Sequence, residues 1–255
     1  MKYSSSVRSD FEKRANRYEL DSMWVTSDTI NNVPFLFFSQ QDTLGDVIDV
    51  GGGTAYLSNY LCRQLRHNSI TVIDLSSSML DIARLRMPDA IIINESIERF
   101  YENNETKYDT ILARQIFHYV DDVDNIVGIL HKMLNKNGIL YVGQFVVSDN
   151  DSNLWHESFI KKISVNRKRS FIDKEFISLF TNEGFEVVKT EYTPYEENIK
   201  SFYNRSTNLG INYGELYDYS VSSLKESVKN DLLIRITDDN LFFTVKFLHL
   251  FLTIK

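Results

Sequence analysis

The chain has 255 residues, of which 43% are hydrophobic and 25% are charged, and such values are ordinary for one soluble globular domain with an insertion. Its formal net charge of −7 gives no overall attraction for nucleic acid or an anionic membrane, so a small-molecule partner is expected. The single cysteine, Cys62, excludes an internal disulfide framework and a cysteine metal site, and no metal is predicted. Residues 1–6 lack the apolar core of a signal peptide, and no run reaches the ~20 apolar residues of a membrane span, which favours a cytoplasmic location.

The first 44 residues are predicted to form helices that precede the main fold. Phe11, Ala15 and Tyr18 recur at helical spacing in a charged segment, and a second helix is expected around residues 29–38. We interpret residues 1–44 as an N-terminal helical lid.

From residue 46 onward, short apolar runs alternate with helical patterns, which favours parallel strands joined by helices. A helix with apolar positions at Val123, Ile126, Val127, Leu130 and Leu134 is expected to cover the sheet and to stop at Asn137-Gly138. The predicted strands span residues 46–50, 70–74, 90–93, 108–113, 139–145, 185–192 and 241–254. The pattern therefore predicts an α/β domain formed by residues 45–193 with 241–255.

Two segments interrupt this alternation. Residues 148–153 are a polar loop by composition, and a helix over 171–180 then leads to the sixth strand. Residues 194–240 contain many tyrosines, and we interpret them as a substrate cap inserted before the last strand. A basic cluster between residues 161 and 169 is expected to be a solvated face rather than a nucleic-acid site, because no aromatic residues alternate with its charges.

The most informative segment is a buried strand that breaks into a glycine loop and runs into a helix, with the sequence Asp49-Val50-Gly51-Gly52-Gly53-Thr54-Ala55. Glycines permit tight turns and a close approach of the backbone to a ligand. The next strand ends in Asp74, and a carboxylate about 20 residues beyond such a loop is placed to bind the two hydroxyls of a ribose. The spacing predicts an adenosine-containing cofactor, and a strand-to-helix turn without a ligand is the alternative.

Two residues favour S-adenosylmethionine over a dinucleotide. A dinucleotide loop needs a third glycine three residues after the second, where this chain has Tyr56. An anion beside the loop, here Asp49, would repel phosphates but suit the ammonium and sulfonium groups of S-adenosylmethionine.

The glycine segment resembles the first motif of class I S-adenosylmethionine-dependent methyltransferases, although Ala55 stands where that family often has a third glycine. The resemblance covers roughly residues 10–255, is strongest over 46–144 and is thin in the cap. It implies a Rossmann-like, seven-stranded and mostly parallel sheet with helices on both faces and an antiparallel last strand.

The resemblance also assigns cofactor contacts. Asp74 would hold the ribose and Met79 would approach the adenine, with core packing as the alternative for Met79. Ser96 stands where the family often has an acid for the adenine amino group, so the backbone of Ser96 and Ile97, or Glu95, could serve instead. The full set of predicted cofactor residues is Asp49, Gly51, Gly52, Gly53, Asp74, Leu75, Met79, Ser96, Ile97, Ala113 and Arg114.

The fourth strand delivers residues 114–119 to the sheet edge where ligands bind in open α/β sheets. This run resembles small-molecule methyltransferases related to those of quinone biosynthesis, in which a histidine faces the substrate. His118 is therefore the candidate base or orienting group, with a helix cap or core packing as the alternative. Further substrate-facing candidates are Gln115, Tyr119, Gln144, Trp155 and His156. For the last three, a structural or peripheral role is the alternative.

These observations predict an enzyme that transfers a methyl group from S-adenosylmethionine to an oxygen, nitrogen or carbon atom of a small metabolite. The alternatives are a protein of the same fold with a non-methylating, partner or assembly role, an RNA methyltransferase, and a nicotinamide-dependent oxidoreductase. The sequence leaves the oligomeric state open between monomer and homodimer.

Overall fold

An eight-stranded sheet forms the centre of the computed structural model, which describes residues 5–164, 166–206 and 210–254. Residues 1–4, 207–209 and 255 belong to the predicted lid, cap and core, and with residue 165 they lie outside the described residues. The strands are β1 Asp46–Val50, β2 Ser69–Ile73, β3 Ile91–Ile93, β4 Tyr108–Arg114, β5 Leu134–Val146, β6 Glu186–Asn198, β7 Arg235–Ile236 and β8 Leu241–Thr253.

The strand order is β3-β2-β1-β4-β5-β8-β6, with β7 paired to β8. Strands β1 to β5 run parallel, whereas β8 is antiparallel to both β5 and β6. The predicted seven strands and the antiparallel last strand are thus confirmed, and the two-residue β7 is an addition from the cap. The order reverses between β1 and β4, and the crevice at such a point is where open α/β sheets bind ligands.

Helices cover both faces of the sheet, as predicted. On one face the buried side chains of β1, β4 and β5 pack with those of the helices after β4 and before β6. On the other face Val47, Val72 and Leu112 pack with side chains of the third, fourth and fifth helices. The helices are α1 Ser5–Arg14, α2 Tyr18–Asp21, α3 Asp28–Phe38, α4 Tyr56–Cys62, α5 Ser77–Arg86, α6 Ile97–Glu102, α7 Val123–Met133, α8 Asn150–Ile163, α9 Asp173–Asn182, α10 Ile199–Arg205, α11 Tyr213–Ser222 and α12 Glu226–Asp231.

The predicted polar loop at 148–153 was wrong for most of its length, because α8 begins at Asn150. Asp149 caps this helix by accepting a hydrogen bond from the backbone N–H of Ser152 at 2.8 Å. Polar residues at a helix start satisfy backbone N–H groups that have no partner within the helix. Trp155 and Phe159 then bury the inner face of α8 against the cap.

The junction of α7 and β5 also differs from the prediction. Leu134, predicted to lie on the helix face, is the first residue of β5, and α7 ends at Met133. Asn137 has the left-handed φ of +64°, but it lies inside β5. The register against β4 shifts between Tyr108 and Thr110, so the predicted turn is an irregularity within one strand.

The cap consists of α10, α11, α12 and β7, which pack on α8 and on the start of β8. Strand β6 extends past the predicted cap boundary at residue 194, since its pairing with β8 continues to Asn198 opposite Phe242. The cap tyrosines pack within this cluster, and none of them lines the cleft described below. Throughout the described ranges, every helix is too short or too polar to cross a bilayer.

Candidate functional site

A cleft lies at the carboxyl ends of β1, β2 and β4, the edge at which open α/β sheets bind ligands. The N-terminal segment covers it with Val7, Phe11 and Tyr18 from its helices and with Trp24 from the turn between α2 and α3. It brings together nearly all of the predicted cofactor residues, namely Asp49, Gly51, Gly52, Gly53, Asp74, Leu75, Met79, Ser96, Ile97 and Arg114. The exception is Ala113, which is fully buried in the sheet between Val50 and Val142.

At Gly51 and Gly52 the glycine loop is held so closely against its neighbours that a side chain would not fit. A Cβ on Gly51 would lie 2.4 Å from Ile116 Cγ2, and one on Gly52 would lie 2.8 Å from Asp49 Cγ. Gly51 and Gly53 have φ values of +64° and +54°, in the left-handed region that glycine adopts without strain. Ala55 also has a left-handed φ of 57°, which explains why a glycine would suit the position where this chain departs from the family motif.

Asp74 joins the glycine loop to the end of β2. Its Oδ2 accepts a hydrogen bond from the N–H of Gly53 at 3.0 Å, and its Oδ1 accepts one from the N–H of Ser76 at 2.8 Å. Burial raises the pKa of this carboxyl group, and the backbone N–H donors act in the opposite direction. A carboxylate has about four acceptor sites, so Asp74 can hold the loop and still accept hydrogen bonds from a ligand.

Asp49 is a second acid at the base of the cleft and is 3% exposed. Burial raises its pKa to about 6, against the opposing effects of the Ser58 hydroxyl and the Arg114 guanidinium. Arg114 donates from Nη1 to Asn31 Oδ1 at 2.8 Å and lies 5.0 Å from the ring centroid of Trp24. These contacts tie β4 to the N-terminal helices.

The far end of the cleft is lined by Met79, Glu95, Ser96 and Ile97. The Ser96 hydroxyl caps α6 by accepting from the Arg99 N–H at 3.3 Å, and Glu95 Oε1 lies 3.3 Å from Arg99 Nε. Both polar side chains at this end therefore already have a partner.

The N-terminal helices are fastened over the cleft by an ion pair. Arg86 donates to Glu19 through both terminal nitrogens of its guanidinium, with Nη1–Oε1 at 2.6 Å and Nη2–Oε2 at 3.1 Å. Thr54, in the glycine loop, donates its hydroxyl to Glu19 Oε1 at 2.6 Å. We call Glu19, Thr54 and Arg86 the latch. No sequence pattern predicts the latch, because its three residues are far apart in the chain.

A second cavity adjoins the cleft. The side chains that line both spaces come from the N-terminal helices and the end of β4, namely Phe11, Tyr18, Trp24, Gln115 and Tyr119. Gln115 has a left-handed φ of 58°, is 8% exposed and has no hydrogen-bond partner at Nε2. Non-glycine residues in this conformation are strained and cluster at functional sites.

His118 lines the second cavity but not the cleft. Its Nδ1 lies 3.3 Å from Gln144 Nε2, and because an amide nitrogen only donates, Nδ1 is the acceptor and the ring proton is on Nε2. Burial lowers the pKa of His118 well below its usual value, and the Arg167 charge lowers it further. The imidazole is therefore neutral at pH 7.

Three other substrate candidates lie outside both spaces. Gln144 is fully buried and bridges Gln115 Oε1 and His118. Trp155 donates from Nε1 to the carbonyl of Ser220 at 3.0 Å, inside the cap interface. The Nδ1 of His156 lies 2.9 Å from the Ser170 hydroxyl. These contacts agree with the structural interpretation of Gln144, Trp155 and His156.

Similarity to known proteins defines the class. A family model described as a methyltransferase domain matches residues 48–140. The malonyl-[acyl-carrier protein] O-methyltransferase of Priestia megaterium is 29% identical over 118 residues, which cover 46% of this chain and 41% of that protein. The protein of the same name from Acetivibrio thermocellus is 25% identical over 182 residues, covering 66% of this chain and 64% of that protein. The chain thus matches less than two thirds of the length of either relative.

Among solved structures, a Bacillus halodurans C-125 protein of proposed methyltransferase function has the same fold, with a TM-score of 0.76 and 15% sequence identity over 86% of this chain and 98% of that one. Residues 48–140 thus match a methyltransferase domain, and this match together with the shared fold supports a class I S-adenosylmethionine-dependent methyltransferase. The predicted class and cofactor are confirmed.

The chemistry of the cleft fits this cofactor. Three carboxylates, Asp49, Asp74 and Glu95, line it and suit ribose hydroxyls and a cationic ammonium and sulfonium. Of the two arginines there, Arg8 pairs with Glu12 at 2.8 Å and Arg114 is bonded to Asn31. Acidic side chains thus flank the glycine loop, and this arrangement disfavours an anionic ligand there.

Proposed function

We propose that this chain catalyses methyl transfer from S-adenosylmethionine to an oxygen, nitrogen or carbon atom of a small metabolite. The observation that carries the proposal is the convergence of the glycine loop, Asp49, Asp74 and Met79 on one cleft that opens into a second cavity. The two relatives described above are named as O-methyltransferases, which favours an oxygen acceptor. A cytoplasmic location remains a prediction.

The bound cofactor supplies an activated methyl group on its sulfonium. What this chain adds is positioning, because displacement at that methyl needs an in-line approach and the exclusion of water. We propose that the latch and the rings of Phe11, Tyr18 and Trp24 exclude water from above. Gln115 would orient the reacting end of the acceptor, since its side chain lines both spaces and its Nε2 donor has no hydrogen-bond partner.

For His118 we propose an orienting role rather than that of a base. Its Nδ1 is engaged by Gln144, and the remaining Nε2–H is a donor. A neutral donor of this kind can hold an acceptor oxygen, and the lowered pKa keeps it uncharged. His118→Ala should spare cofactor binding and slow turnover, whereas equal loss of both would assign His118 a purely structural role.

Calorimetric titration of the protein with S-adenosylmethionine and S-adenosylhomocysteine tests the cofactor site directly. We expect micromolar dissociation constants for both, and no binding of either would refute the proposal. Transfer of radiolabelled methyl to a panel of hydroxylated, amino and carboxylic metabolites then tests the reaction. Cofactor binding without transfer to any acceptor would favour the alternative of a non-methylating protein of this fold.

A further inference from the structure

Five charged side chains of both signs line the second cavity, namely Asp10, Glu197, Arg14, Arg167 and Arg205. Three are cationic and two are acidic. The remaining ionisable groups that line the cavity, His118, Tyr18 and Tyr119, are neutral at pH 7 because burial lowers the pKa of the first and raises the pKa of the other two. The cavity therefore has one excess positive charge.

Pairing within this group leaves Arg167 as the odd cation. Arg205 Nη2 lies 3.0 Å from Glu197 Oε1, and Arg14 Nη1 lies 3.7 Å from Asp10 Oδ2. Within the described ranges Arg167 has no acid at ion-pair distance, and its Nη2 is shielded from solvent without a hydrogen-bond partner. Among the residues that the structure describes, the guanidinium makes one hydrogen bond, from Nε to the carbonyl of Arg169 at 3.5 Å.

An unpaired and partly desolvated guanidinium is costly to maintain. Burial lowers the pKa of Arg167 to about 10, which still leaves it cationic at neutral pH. Any protonation of Asp10 or Glu197, whose pKa values burial raises, would increase the excess of positive charge. A cavity with these properties is complementary to an anion, and the planar fork of arginine matches carboxylate and phosphate oxygens.

We infer that the acceptor carries an anionic group, a carboxylate or a phosphate, which binds Arg167 at the end of the second cavity away from the cofactor. This inference rests on the proposed function and adds the chemical class of the acceptor. Arg167 and Arg205 line only the second cavity, whereas Gln115 and Tyr119 line both spaces. The anionic group is thus an anchor, and the reacting atom lies at the junction, near Gln115.

Binding of defined probes tests the anchor without knowledge of the natural acceptor. The protein is saturated with S-adenosylhomocysteine and titrated with benzoate, phenyl phosphate and the neutral benzamide, with binding followed by NMR or calorimetry. We expect the better of the two anions to bind at least about tenfold more tightly than benzamide, as charge-assisted hydrogen bonds allow. The comparison of benzoate with phenyl phosphate identifies which anion the site prefers.

Arg167→Met keeps the apolar stem and removes the charge, and it should reduce the preference for the anion to about threefold or less. Lys168→Met is the matched control, because it removes a neighbouring exposed cation whose partner, Asp121, lies outside the cavity; its preference should equal that of the wild type. Arg167→Lys should retain an intermediate preference, which guards against loss through misfolding.

An unchanged preference in Arg167→Met, or no preference in the wild type, would overturn the inference. The titration with S-adenosylhomocysteine alone separates this outcome from failure of the proposed function. If that ligand binds all variants equally while anion preference is absent, only the anchor is wrong. If that ligand does not bind the wild type, the proposed function itself fails.

Discussion

Replacement of Asp74 by asparagine separates the two tasks that we assign to this side chain. The carboxylate accepts hydrogen bonds from the Gly53 and Ser76 N–H groups, and we propose that it also accepts from the cofactor ribose. Asparagine has the same shape but only one acceptor oxygen. If that oxygen faces Ser76, the amide NH₂ is directed toward the N–H of Gly53, so one backbone donor loses its partner.

The two effects differ in size. Loss of one hydrogen bond to a charged acceptor lowers the free energy of unfolding by about 1.5–3 kcal/mol, but removal of a buried charge whose pKa is raised by desolvation offsets part of this. We expect a net loss of stability of about 1 kcal/mol. This offset does not apply to cofactor binding. The binding free energy should weaken by about 2–3 kcal/mol, which raises the dissociation constant roughly 30- to 150-fold.

Calorimetric titration with S-adenosylhomocysteine and urea unfolding measure the two quantities independently. Asp81→Asn is the matched control, since Asp81 lies on the same helix as Met79 but is 72% exposed and only pairs with Arg84 at the surface. Such surface pairs contribute about 0–1 kcal/mol, so affinity should not change. A folded Asp74→Asn protein that binds within threefold of the wild type would refute the ribose assignment.

Three further predictions concern the same cleft. Protonation of Asp49, whose pKa is about 6, removes the charge that favours a cationic ligand, so affinity for S-adenosylhomocysteine should fall about tenfold per pH unit below that pKa; calorimetry across pH 5–8 should show this dependence in the wild type and its absence in Asp49→Asn. Glu19→Gln and Arg86→Met should each speed ligand release about fivefold in stopped-flow experiments, with a double-mutant coupling of about 1 kcal/mol, and additive effects would show that the latch does not act as a pair. Gly52→Ala places a methyl 2.8 Å from both Asp49 Cγ and Val72 Cγ1, and urea unfolding should show a loss of about 1–3 kcal/mol; wild-type stability would mean that the loop yields.

Strands β1, β2 and β4 could be predicted because each is a short apolar run in which most residues are buried. The predicted strand 46–50 coincides with β1, and the run at 70–74 matches β2 within one residue. Helix α8 was missed for a physical reason. Asp, Asn and Ser favour both loops and helix starts, and composition alone does not separate the two. The apolar positions Trp155, Phe159 and Ile160, which share the buried face of α8, are the signal that identifies it as a helix.

The cofactor-binding half of the site could be predicted from the sequence, because its residues follow the carboxyl ends of consecutive strands. A single local motif holds the glycine loop between Asp49 and Ala55, and topology brings Asp74 to the same edge. The acceptor half has no such motif, because its wall is assembled from α1, the turn after β4, the segment after α8 and the start of the cap.

The basic run at 167–169 shows how far composition can mislead in that half. We predicted a solvated face, and Lys168 conforms, since it is exposed and pairs with Asp121. Arg169 instead donates to the backbone carbonyls of Val120 and Asp121, and Arg167 lines the second cavity. The three neighbours have three different environments, which only the tertiary fold decides.

Gln115 links the two halves, and its conformation follows from the sheet. Its N–H donates to the Gly143 carbonyl at 2.8 Å, so the backbone is still held by β5 one residue after β4 ends. The left-handed φ of 58° then turns the chain, and the side chain lies at the junction with an unpartnered donor. A glycine would form this turn without strain but would provide no donor. The strained glutamine, one of five residues that line both spaces, therefore supplies an amide donor that the fold by itself does not require.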